Sequence, residues 1–180
     1  MNSRPQPDLP RQTHAAEMPA STRLSRFAVA VVVGNVLAAT LAVAVNWPSQ
    51  FGGVVGTDAA EDVLSRGTAI SAPLAPVVCF VLIAILVRAR SRVGWLGIGL
   101  TFPTAVLVLA GGMGELVAEP TDDVPGAVLV AAGVLWGGVA AAFVVLAVAA
   151  TRERGSVARR QAFGPLQDSQ HQPNETADFR

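Results

Sequence analysis

The sequence predicts an all-α integral membrane protein, a four-transmembrane-helix antiparallel bundle with disordered tails, on three observations. Hydrophobic residues make up 52% of the chain, charged residues only 14%, and the mean hydropathy of +0.49 exceeds that of an ordinary soluble domain. Four windows, 27–57, 67–87, 93–114 and 124–151, hold no charged residue, and each reaches the ~20 residues that cross a hydrocarbon slab ~30 Å thick. Stretches such as Val29-Ala30-Val31-Val32-Val33 and Phe143-Val144-Val145-Leu146 are apolar on every side, whereas a soluble surface helix keeps a polar face.

The elements follow in order. Residues 1–26 are rich in Pro, Gln, Ser and Thr; such a segment buries too little apolar surface to offset its ordering entropy and is expected to be a disordered tail. The first helix is expected at 27–47, ended by Asn46-Trp47-Pro48, where an interfacial aromatic meets a residue that cannot continue helical hydrogen bonding. Ala42-Val43-Ala44 also fits a signal cleavage site, which would leave three spans. However, the apolar stretch from Phe27 is longer than a ~7–15-residue signal core and follows a long polar leader, so a retained helix is expected.

A short surface helix should follow, with Asp58 as its cap, Glu61 at capping-box spacing and Gly67 beyond its end. The second span is expected at 71–90, with Pro73 in its first turn. The third is expected at 92–114 with Trp95 near the headgroups, and the fourth at 125–150. Residues 151–180 have a composition like that of the first tail and carry the same expectation of disorder. The four-helix transmembrane domain thus covers 27–150.

Charge sets the orientation. Arg4, Arg11, Arg23 and Arg26 precede the first span; Arg88, Arg90 and Arg92 fill the turn after the second; Arg152, Arg154, Arg159, Arg160 and Arg180 follow the fourth. Arg66 alone lies opposite, among Asp58, Glu61, Asp62, Glu115, Glu119, Asp122 and Asp123. The positive-inside rule then puts both termini and the 88–92 turn in the cytoplasm. Arg88, Arg90 and Arg92 are expected to anchor in anionic headgroups, at about 1 kcal/mol each. The 13 basic residues are all Arg, Tyr is absent, and Ala, Val and Gly dominate; this bias points to a G+C-rich genome and hence a bacterial cytoplasmic (inner) membrane.

Several chemistries are excluded. Cys79 is the only cysteine, so a disulfide, a CxxC redox pair or a Cys-rich metal site cannot form within the chain. The two histidines, His14 and His171, both lie in the polar tails, which removes paired haem ligands from the membrane. The external acids lack calcium-loop spacing. No HExxH, GxSxG or P-loop pattern occurs, and nothing suggests nucleic-acid recognition. No catalytic residue, metal or cofactor is therefore expected.

Within the spans, no ionisable group occupies a central position. Glu115 lies far enough beyond Arg92 to reach the outer interface. Asn35 sits well inside an apolar helix and needs a partner, so Asn35 and Glu115 are the polar groups to which a function could attach. Thr40, Thr101 and Thr104 are expected to bond neighbouring helices or their own backbone. Gly133, Gly137 and Ala141 form one small-residue stripe, and Gly34, Ala38 and Ala42 another. Close helix packing or a homo-oligomer contact is expected along both. Pro103 interrupts the third span and is expected to kink it.

Besides the lipid bilayer, the partners implied are a membrane protein or further copies of the chain. These features suggest a structural, accessory or regulatory membrane subunit, with a small oligomeric channel or transporter as the alternative. Orientation is directly testable in intact cells: Asp58→Cys should react with a membrane-impermeant maleimide and Gly155→Cys should be protected, and the reverse pattern contradicts the assignment.

Overall fold

The computed structural model describes residues 18–48, 58–89, 91–120, 122 and 124–168. All the elements among them are helical: α1 (Ala20–Ala44), α2 (Ala59–Ser65), α3 (Leu74–Leu86), α4 (Val93–Leu116) and α5 (Gly126–Asp168). Three stretches, Ala20–Ala44, Val93–Leu116 and Gly126–Arg159, are long and apolar enough to cross a membrane.

The helix ends follow from local chemistry. The carbonyl of Pro19 accepts from Thr22 N and Arg23 N and opens α1 seven residues before the expected start. At the other end Asn46 adopts a left-handed φ of 51°, with Asn46 N donating to Val43 O and Trp47 N to Ala42 O. This is a Schellman closure with Asn in the position usually held by Gly. Asp58 Oδ1 accepts from Ala60 N at 2.7 Å and caps α2. Gly67 ends the turn after α2 at φ +83°, where a side chain would also overlap the backbone of Ser71 and Pro73.

The expected second span, 71–90, is not one continuous helix. Pro73 disfavours helical geometry at Ala72, and α3 begins only at Leu74, with Pro76 in the first turn, where a missing N–H costs nothing. At 13 residues, α3 is about 20 Å long and falls short of the ~30 Å slab. Residues 68–73 precede it as irregular backbone.

The fourth helix departs in the other direction. Instead of ending near 150, α5 continues unbroken for 43 residues, about 64 Å, so residues 151–168 of the expected disordered tail are helical. Two docked side chains, Glu153 and Arg154, hold its start, and the helix runs on through Gly155, Gly164 and Pro165, the poorest helix formers. Residues 1–17 and 169–180 of the tails, and Arg90, lie outside the described residues.

Around the bundle, α1 packs on α3, α3 on α4, α4 on α5, and α5 back on α1, while α2 rests on α1 and α3. Phe143 of α5 is the aromatic centre. It stacks on Phe80 of α3 at 5.3 Å and meets Phe27 of α1 edge-on at 5.0 Å. Residues such as Ala28, Ala105, Ala132, Ala140 and Ala147 fill much of the rest of the interior, while Val33, Leu37, Ile85, Leu96, Val106, Leu135 and Val145 point outward. Small residues inside and large aliphatic ones outside is the arrangement that lipid, rather than water, permits.

Two glycines bring α4 and α5 close together. A Cβ at Gly133 would lie 2.8 Å from Gly112 O, and one at Gly112 would lie 3.1 Å from Gly133 O. Gly137 and Gly34 face open space, Ala141 is exposed, Ala38 is half-buried and Ala42 is buried. The buried face of α5 therefore runs through Ala132, Gly133, Trp136 and Ala140, turned away from the expected Gly133–Gly137–Ala141 line. Gly133→Ile should destabilise the protein by about 1–3 kcal/mol through overpacking. Gly137→Ile and Ala127→Ile, the latter at an exposed site, should melt in detergent like the wild type. Equal melting of all three variants contradicts this packing.

Candidate functional site

The irregular 68–73 segment is held by side chains. Thr68 Oγ1 and Ser71 Oγ share a hydrogen bond of 2.7 Å, Thr68 N donates to Ser71 O, and Ser71 N donates to Thr68 O and Oγ1. Ala69 N reaches Trp47 O at 3.4 Å. Asn35, 6% exposed, takes Ala72: its Oδ1 accepts from Ala72 N at 2.7 Å and its Nδ2 donates to Ala72 O at 3.4 Å. A carboxamide has a donor and an acceptor side by side, so it can pair the N–H and C=O of one residue much as a neighbouring strand would. The lone Asn of α1 thus supplies what Pro73 denies to Ala72.

Beside this segment lies a cavity of about 260 Å³, bounded by Thr68, Ser71, Ala72 and Pro76 on one side, Leu107, Val108, Gly111 and Glu115 of α4 on another, and Trp136 of α5. Arg66 stands at its rim and is exposed. Glu115 is 7% exposed, and its Oε2 is buried without a hydrogen-bond partner. Asp62 Oδ2 is also buried and unpartnered, but Asp62 does not line this cavity. A more open cleft of about 420 Å³ lies on the far side of Ala72, between α1, α2 and α3, and is lined by Val36, Ala39, Val43, Val63 and Val77.

The opposite end of the bundle is closed by a polar clasp. Ser25 Oγ donates to Ala84 O at 2.7 Å and accepts from Arg88 Nε at 2.8 Å. Glu153 Oε2 accepts from Ala20 N at 2.6 Å, while Arg154 Nη2 donates to Val87 O and Ala89 O at 2.7 and 3.0 Å. Consecutive residues of α5 therefore put an anion on the first amide of α1 and a cation on the carbonyls ending α3, each matching the sign of the helix dipole it meets. Gly94 leaves room for the Arg154 guanidinium; a side chain there would collide with it.

Of the residues singled out by sequence, Asn35 and Glu115 lie on the two faces of the same irregular segment. Arg88 joins the clasp, and Arg92 is exposed at the start of α4. Pro103 sits inside α4, which continues through it, and the hydroxyls of Thr101 and Thr104 return to the carbonyls of Gly97 and Leu100. Thr40 likewise bonds Val36 O.

Ser25, Thr68, Ser71, Glu153 and Arg154 were not legible as partners. The available signals were the adjacent opposite charges at 153–154 and the paired hydroxyls around Ala69-Ile70, but neither names a partner on another helix. Among the described residues no three His, Cys, Asp or Glu side chains cluster as metal ligands. No protein-family model, curated protein or solved structure matches the chain.

Asn35→Leu removes both bonds and strands the Ala72 amide, which should cost about 1–3 kcal/mol. Thr40→Val, altering a hydroxyl that serves only its own helix, should be nearly neutral. Detergent melting of the pair tests the assignment, which fails if the two variants melt alike.

Proposed function

We propose that the chain is a four-span protein of a bacterial cytoplasmic membrane, with both termini in the cytoplasm, acting as an accessory or regulatory subunit without catalysis of its own. Three helices have spanning length, and the fourth crossing is assigned to α3 together with the 68–73 segment. Non-helical backbone at membrane depth is tolerated where protein buries it, and Thr68, Ala69 and Ser71 are 3%, 1% and 5% exposed. Arg88 and Arg154 meet at the same end of the bundle, beside the start of α1, which agrees with the orientation expected from the positive-inside rule.

The observation that carries the accessory role is the continuity of α5. The helix leaves the bundle through the Glu153–Arg154 clasp and carries Arg159 outward on a helical arm, with Arg152 just before the clasp. An arm clasped in this way transmits or receives displacement at the bundle, and its guanidinium groups suit an acidic partner surface or anionic lipid. The channel or transporter alternative draws on Pro103, which leaves the Gly99 carbonyl without its helical donor in a Gly-rich helix.

A charge reversal on the arm beyond the clasp discriminates between the two. Arg159→Glu, at an exposed site, should leave bundle melting unchanged and reduce recovery of a co-purifying membrane partner at least tenfold. Undiminished recovery contradicts the arm's role. A saturable solute flux in liposomes containing the pure protein, lost in Pro103→Ala, would establish the alternative instead.

A further inference from the structure

The geometry points to the cavity between the 68–76 segment, α4 and Trp136 as a binding site for a small amphiphilic organic amine, with the ammonium on Glu115 and the apolar body against Leu107, Val108 and Trp136. Glu115 presents a carboxylate oxygen that is buried and unpartnered in a residue only 7% exposed, on the wall of the cavity. A buried acceptor of this kind is costly unless something donates to it.

The candidate donors can be weighed in turn. A water placed on Glu115 needs about two to four polar partners. The walls offer few polar groups, and the hydroxyls of Thr68 and Ser71 already bond each other. A hard metal ion needs about six or more oxygen ligands, which Glu115 and two engaged hydroxyls do not supply. An anionic ligand is repelled, and a purely apolar one leaves the carboxylate unpartnered.

An ammonium on a short apolar body meets each condition. Its N–H groups donate to Glu115, its hydrocarbon covers aliphatic wall, and Trp136 offers an aromatic surface compatible with a cation. Among the described residues, Arg66 at the rim is the cation that could compete for Glu115.

The test uses the full chain in phosphatidylglycerol nanodiscs, with calorimetric titration of 2-phenylethylammonium, n-hexylammonium and the neutral 2-phenylethanol. At least one of the two amines should bind at least tenfold tighter than the alcohol. Glu115→Gln should abolish that preference. Gly111→Leu should weaken binding of every probe, because a Cβ at Gly111 meets nothing within 4 Å and the larger side chain can occupy the cavity. The preference within the wild-type protein does not depend on either variant folding.

Equal binding of amine and alcohol overturns the proposal, as does failure of both amines to bind, or an amine preference that survives Glu115→Gln. Amine binding that appears only in Arg66→Ala would mean that Arg66 already fills the site, and it too overturns the proposal. Phosphatidylethanolamine added to the nanodiscs identifies the source: competition with the bound amine marks a lipid ammonium as the natural occupant, and its absence marks a free amine. Both results support an ammonium on Glu115.

Discussion

Backbone that cannot be helical must have its polar groups paired by something else, and here Asn35 pairs both groups of the half-buried Ala72. Pro73 forces the break, Gly67 turns the chain into it, and the 68–73 segment then runs between α1 and the α4–α5 pair. Without the Asn35 carboxamide, the backbone of Ala72 would keep both polar groups among apolar side chains, a heavier penalty in lipid than in water. The cavity lies beside this segment, whose residues Thr68 to Ser71 close a hydrogen-bonded turn instead of continuing α3 as helix.

Two kinds of packing hold the remaining elements against that break. Toward the clasp, Phe80, Phe143 and Ile83 are fully buried with Leu24, a dense cluster in which large rings fix the relative placement of α1, α3 and α5. Beyond it, Gly112 and Gly133 bring α4 and α5 into backbone contact, and that approach puts Trp136 and Glu115 on the walls of one cavity. A side chain at either glycine would separate the helices and reshape the cavity, so the small residues determine the site as well as the fold.

The clasp at Ser25, Arg88, Glu153 and Arg154 explains why α5 does not stop where its apolar sequence stops. Helix ends leave amides and carbonyls without intrahelical partners, and at this end of the bundle α1 begins while α3 finishes. One turn of α5 brings a carboxylate and a guanidinium to those two ends, at Ala20 N and at the carbonyls of Val87 and Ala89. The same two side chains thus tie the start of the arm to the bundle end.

Legible in the chain alone were the helical class, the existence of long apolar segments, the cap at Asp58, the stop near Asn46-Trp47-Pro48 and the need of Asn35 for a partner. Each of these depends on composition or on residues adjacent in the chain, and local physics acts there directly. Only the packing of the helices set that the expected 71–90 span is helical just over Leu74–Leu86, that Asn35 pairs with Ala72, that Glu115 faces a cavity, and that α5 outruns its apolar stretch through Asp168. It also selected Gly133 and left Gly137 in open space. These outcomes depend on which helix stands beside which and at what rotation. The small residues of α1 and α5 do not specify that rotation, because a chain so rich in Ala and Gly offers several compatible stripes and only the shape of the neighbouring helix selects among them.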